Sequence, residues 1–258
     1  MAFIRMRLSQ DCKSKTARLE PFSSTSLAAF GLLVSVLMVF VCPPVSARDD
    51  ARIAGQLPFR AGTYWIFAGP VEADIGHGKT IKEVVNWKME VTSVLKNGRF
   101  TVAVIAGHPN DLWWYEPGRK RGDYLLVKRA DNYYLVTDEN ARRAVKEFKQ
   151  RQPLDKYIRK DNLVLAFPLK VGKLFGKSGG DPSSPMFCWS VEKNESYDLA
   201  GVEGVKPPLK RTAYELVYRA NTDQTIVDFV PGIGFVHQTS AHHGTVSKFD
   251  VRLTEFRY

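Results

Sequence analysis

The chain has 258 residues, 37 Lys and Arg against 27 Asp and Glu, and a formal net charge of +10. A hydrophobic fraction of 44% with 12% aromatic residues excludes an intrinsically disordered chain, and 19 Gly with 14 Pro exclude a collagen-like repeat. The length allows one large domain or two small ones.

Residues 1–26 carry Arg5, Arg7, Lys13, Lys15 and Arg18 against Asp11 and Glu20, and Leu27 to Val41 then runs without a charge. Val45-Ser46-Ala47 follows, with the small or modest side chains that a signal peptidase reads. This order predicts an N-terminal signal helix over residues 1–47 and an exported, periplasmic or extracellular protein. The apolar run is shorter than the about 20 residues of a spanning helix, so an uncleaved anchor is the alternative and the segment is the chain's one predicted contact with membrane. Cys42 does not fit a lipid-attachment site, because Val41 stands where a small residue belongs and Pro43 follows. Cleavage after Ala47 removes five bases and two acids, leaving 32 against 25, a net +7. Cys188 is then the only cysteine, so no internal disulfide can form and the domain relies on its core.

Residues 48–61 read as an extended entry segment, and 62–258 as one antiparallel β-domain. In Val85-Asn86-Trp87-Lys88-Met89-Glu90-Val91-Thr92 every second residue is apolar, which gathers Trp87, Met89 and Val91 on one face of a strand. Lys96-Asn97-Gly98 predicts a hairpin turn into a strand from Arg99 to Ala106. A second hairpin is expected from Tyr124–Arg129 and Tyr133–Val136 around Ala130-Asp131-Asn132. Further strands are expected at Phe187–Val191, with Cys188 half-buried, and at Ala213–Arg219, Thr225–Val230, Phe235–Thr239 and Thr245–Phe256. In the last, Phe249, Val251 and Leu253 face one way and Lys248, Asp250, Arg252 and Thr254 the other, the mark of an antiparallel sheet with one wet face. One segment breaks the pattern. Ala141, Ala144, Val145 and Phe148 fall at helical spacing behind Asp138 as N-cap, which predicts a helical insertion at 138–160 that caps a barrel end or covers a curved sheet. The fold class is therefore mainly β: a single antiparallel curved sheet, barrel or half-barrel, with a short helical insertion.

Several motif matches fail on context. Ala73 to Thr80 fits a loose phosphate-binding loop, but an alternating strand follows where that loop needs a helix N-terminus. Gly176-Lys177-Ser178-Gly179-Gly180 fits a nucleophile elbow, but Asp181-Pro182 and Pro185 forbid the helix it needs. His237, His242 and His243 suggest a metal cluster by count. His237, however, lies five residues down a strand from the turn at His242-His243-Gly244, roughly 16 Å away at the usual rise. Adjacent histidines on a strand also point to opposite faces. No metal or other cofactor is assigned on this reading. Leu112 to Gly118 is the densest aromatic patch, and aromatic faces beside polar groups suit sugars, lipids or apolar ligands. Trp113, Trp114 and Tyr115 are therefore the candidate ligand contacts. The competing reading is a wide strand that packs Trp113 and Tyr115 inward and leaves Trp114 over an edge. Arg119-Lys120-Arg121 reads as a solvated turn, and export with no recognition module disfavours nucleic acid.

Phe167-Pro168-Leu169-Lys170-Val171-Gly172-Lys173 and Phe229-Val230-Pro231-Gly232-Ile233-Gly234-Phe235-Val236 form two short motifs, FPL-x-VG and W/F-x-PG-x-G-x-V. In these the chain resembles uncharacterised bacterial exported β-domains of unknown function, over roughly its C-terminal third. The resemblance implies a strongly curved antiparallel sheet or barrel and carries over no catalytic residue. Independently of it, Pro231 cannot donate in a ladder and Gly232 and Gly234 permit positive φ, so this stretch predicts a sharp bend that curls the sheet. The leading expectation is a non-catalytic cell-envelope protein that binds an apolar or amphipathic ligand, such as a lipid, or an envelope protein. The alternatives are a metal-dependent or other hydrolase using His242 or His243, and a structural envelope component.

Overall fold

Alternating apolar residues dominate the computed structural model, which describes residues 57–74, 79–176, 184–242 and 247–258. The leader at 1–47, most of the entry segment, His243 and the nucleophile-elbow loop lie outside the described residues.

Six strands form the first meander: β1 (Tyr64–Asp74), β2 (Thr80–Asn97), β3 (Phe100–Ala106), β4 (Asp123–Arg129), β5 (Asn132–Thr137) and β6 (Leu163–Ala166). Six more form the second: β7 (Leu174–Phe175), β8 (Trp189–Asp198), β9 (Lys210–Arg219), β10 (Asp223–Val230), β11 (Gly234–His242) and β12 (Ser247–Arg257). The sheet order is β6-β5-β4-β3-β2-β1-β12-β11-β10-β9-β8-β7, and every pair is antiparallel. The first and last strands therefore pair in the middle of the sheet, Tyr64 opposite Arg257 and Glu72 opposite Lys248. The two free edges, β6 and β7, are its shortest strands, and a Cβ on Gly176 just past β7 would lie 2.6 Å from the Leu163 carbonyl oxygen of β6. The result is a nearly closed, up-and-down barrel with its seam between β6 and β7. Closure hides strand edges that would otherwise invite aggregation.

The interior is apolar and filled over most of its length. Val85, Trp87, Met89 and Val91 of β2 are buried, while Asn86 among them and Thr92 after them are exposed. Phe249, Val251 and Leu253 of β12 do the same opposite Lys248, Arg252 and Thr254. The outward face is thus the water-facing one, the reverse of a barrel whose exterior meets lipid. A β-bulge between Asp228 and Phe229, and the turn with Gly232 at φ 81 and Gly234 at φ 109, bend β10 back into β11 as the Pro-Gly-x-Gly stretch predicts.

The helix α1 (Asp138–Lys149) lies on the outside of the barrel. Ala141, Ala144 and Phe148 pack with Leu154 and Tyr157 on outward residues Phe100, Val102, Leu125, Val127 and Val136. Of the two placements anticipated for the insertion, it takes the one that covers a curved sheet. This explains why Tyr124-Leu125-Leu126-Val127 is buried without alternation: β4 has core on both faces.

Some local readings need correction. The helix starts at Asp138, so Thr137 occupies the N-cap position. The first hairpin pairs Asn97 with Phe100, which leaves a two-residue turn of Gly98 and Arg99, and the second pairs Arg129 with Asn132. Phe187 is not in a strand. Its φ of 56 places it in a turn, and β8 starts two residues later and runs to Asp198. Cys188 is completely buried in the bend before that strand, not half-buried on it. Pro109–Trp114 is a 3-10 helix, not a wide strand. Pro109 supplies a helical φ, and the His108 side chain accepts from the Asn110 N–H at 3.1 Å to start the turn.

Candidate functional site

Filling by side chains fails at one end of the barrel. A cavity of about 590 Å³ opens where β5 passes into α1. Leu135, Val164, Leu216, Val227 and Phe235 form apolar wall, and Trp113, Trp189 and Tyr218 add aromatic surface. Its size and mixed lining are those of a small-molecule site. The aromatic walls are held by ring contacts: Trp189 with Tyr218 at 5.5 Å between centroids and Trp113 edge-on to Phe249 at 6.0 Å.

The polar floor is built by the 3-10 turn. Asp111 is buried and accepts from the Tyr124 hydroxyl at 2.7 Å and from the Gly122 N–H at 2.8 Å, which pins the turn to β4. Asn110 then reaches across the barrel, where its Oδ1 accepts from Gln238 Nε2 of β11 at 3.3 Å. His108 sits between Tyr124 and Phe235, with ring centroids 5.2 and 5.8 Å away. Burial pushes its pKa down to about 4. The ring is neutral at pH 7. Because Nδ1 accepts from Asn110, the hydrogen is on Nε2. The inner cavity therefore offers neutral donors and acceptors, and its charged groups stand at the rim: Arg143, Lys156, Arg159, Asp161 and Asp223.

The candidate residues separate. Trp113 lines the cavity, while Trp114 is 65% exposed. Tyr115 packs on the core and donates to Glu83 Oε2 at 2.9 Å. His237 faces outward between two carboxylates, with Nδ1 at 2.9 Å from Asp228 Oδ2 and Nε2 at 2.8 Å from Asp250 Oδ1. His242, an odd number of residues on, takes the inward face, where its Nδ1 bonds Asp223 Oδ1. On that face Thr225 and Ser240 share a hydrogen bond of 2.8 Å, and Ser247 pairs across from His242. His237 and His242 thus belong to separate clusters on opposite faces. Among the described residues no group of three or more His, Cys, Asp or Glu could hold a metal ion.

His108, Asn110, Gln238, Asn140 and Arg143 were not anticipated as a site. Two signals point to part of it. Gln238 opens a polar inward run on β11 with Ser240 and His242, and His108-Pro109-Asn110-Asp111 has the side chains of a capped turn just before the aromatic run.

No protein-family model matches the chain, and no curated protein matches it. Among solved structures, a candidate exported protein with a YmcC-like fold from Bacteroides fragilis NCTC 9343 aligns with a TM-score of 0.38 and 10% identity, over 78% of this chain and 98% of that one. A candidate lipoprotein from Parabacteroides distasonis ATCC 8503 aligns with a TM-score of 0.37 and 12% identity, over 78% and 97%. Both likenesses are too slight to assign a fold family or an activity, and the resemblance to exported β-domains stays with the two motifs at 167–173 and 229–236.

Proposed function

We propose that this chain is an exported, non-catalytic cell-envelope protein that holds an amphipathic small molecule in the barrel cavity. The observation that carries the reading is the cavity itself: aromatic and aliphatic walls around a neutral amide pair, Asn110 and Gln238, with charge confined to the rim. Such a lining accepts a ring or apolar body together with a few hydroxyl or carbonyl groups, and it pays no cost for burying an unpaired charge. Native mass spectrometry of the exported protein tests it. The expected result is a non-protein mass on the intact chain that is lost when Trp113 and Tyr218 are both replaced by alanine. A bare chain that also fails to take up amphipathic dyes would overturn it.

The Asp223–His242 contact favours a second reading, hydrolysis through His242. A carboxylate on Nδ1 orients an imidazole as a base, and the Ser240, Thr225 and Ser247 hydroxyls share its face. Labelling of the wild-type chain by a fluorophosphonate, abolished in His242→Ala, would favour this reading over simple binding. An unlabelled chain removes it.

A further inference from the structure

The rim of the cavity is not symmetric in charge. Of its five charged side chains three are cations, and the two carboxylates are already engaged: Asp161 with Arg159 at 2.7 and 3.2 Å, and Asp223 with His242. Lys156 is held at 2.7 Å by Glu147, a mostly covered carboxylate that lies outside the lining. Arg143 differs. Among the described residues its one ion pair is a single contact of 3.3 Å to Glu139, four residues earlier on the helix and 79% exposed. A solvated pair of this kind is weak and exchanges readily for a better anion. Asn140 stands three residues before Arg143 and also lines the cavity, so one face of α1 presents an amide and a guanidinium side by side at the mouth.

We infer that Asn140 and Arg143 form an anion subsite, and that the molecule held in the barrel is an amphipathic anion with its carboxylate, sulfonate or phosphate at the rim. This inference rests on the cavity being a ligand site. Inside, neutral His108 and the Asn110–Gln238 pair offer no cation to meet a negative charge. At the mouth, a guanidinium presents paired donors matched to the oxygens of such a group. The anion displaces Glu139, which swings into solvent. The ring or apolar body then lies against Trp113, Trp189 and Tyr218.

Two fluorescent dyes that differ by one sulfonate test this: 1-anilinonaphthalene-8-sulfonate and neutral N-phenyl-1-naphthylamine. Both are titrated into the folded wild-type chain, Arg143→Gln and, as control, Lys149→Gln, an exposed cation of the same helix that does not line the cavity. The expected result is that Arg143→Gln weakens the sulfonate dye about five- to tenfold and leaves the neutral dye unchanged, as loss of a charge-assisted contact at a partly solvated rim implies. Lys149→Gln should change neither, and added salt should weaken only the sulfonate dye. An unchanged affinity for the sulfonate dye in Arg143→Gln, or an equal loss for both dyes, would overturn the anion subsite while leaving the cavity as a ligand site. Binding of neither dye to the wild-type chain would overturn both.

Discussion

The indole Nε1 of Trp65 donates to the carbonyl oxygen of Ile233 at 2.7 Å, across 168 residues of chain. It ties β1 to the β10–β11 turn. Trp65 is 2% exposed, and the Ile233 carbonyl lies in the turn made by the Pro-Gly-x-Gly stretch. Trp65→Phe keeps most of the buried ring but leaves that carbonyl without its donor. The expected loss of stability is about 2 kcal/mol, from the unmade hydrogen bond and the residual space. Urea unfolding should show a lower midpoint with an unchanged slope; an unmoved midpoint would show that water replaces the indole.

The join between the two meanders rests on a close approach between β1 and β12. A Cβ on Gly69 would lie 1.9 Å from the Asp250 carbonyl oxygen, a distance that neither backbone can relieve without parting the strands. Gly69→Ala should therefore destabilise by more than about 3 kcal/mol, at the upper end for single substitutions. Gly201→Ala, whose Cβ meets nothing within 4 Å, is the matched control and should leave the thermal midpoint in place. Equal midpoints for the two variants would contradict the close approach.

His108 makes stability depend on pH. The unfolded imidazole takes up its proton near 6.5 and the folded one only near about 4. Between these values the unfolded state binds more protons, so stability falls as pH drops through the window and is fully retained above it. The difference corresponds to about 3 kcal/mol. Glu72 and Glu90 have carboxyls held low by Lys82 and Lys88, and they lose their contribution only in a lower window, beneath the usual carboxylate range. Denaturant unfolding from pH 7 to 4 should show the slope in the wild-type chain and a flatter profile in His108→Gln. Parallel profiles would refute the assignment.

The strands were legible because one side of each must be buried, and a period of two is written in adjacent residues. Val85 to Val91 and Phe249 to Leu253 show this directly. The seam strands were not legible. Leu163–Ala166 and Leu174–Phe175 are too short to hold a period, and their role is to bring two edges together. Composition misled at Leu112-Trp113-Trp114-Tyr115, where strand-favouring aromatics sit in a turn set by Pro109 and the His108 cap. The cavity was hidden for a different reason. Asn110 and Gln238 are 128 residues apart and meet only because the barrel closes. No local pattern records that meeting, whereas the Trp113 surface could be marked from its aromatic neighbours alone.

The outward cluster around His237 carries the last prediction. The imidazole bridges Asp228 and Asp250, and Asp228 also stands directly opposite Glu215 on β9. Asp228 and His237 are mostly covered, with side chains 15% and 12% exposed. Removing the imidazole leaves these carboxylates facing one another with less solvent than surface groups enjoy, and like charges directly opposite on neighbouring strands repel. Lys193 still holds Glu215 at 3.2 Å, so Asp228 loses most. His237→Phe should cost about 1–3 kcal/mol through the unpaired carboxylate, and adding Asp228→Asn should recover part of that cost. A double-mutant cycle by urea unfolding measures both. If the double variant is no more stable than His237→Phe alone, the cost comes from packing of the ring and not from the charge it bridges.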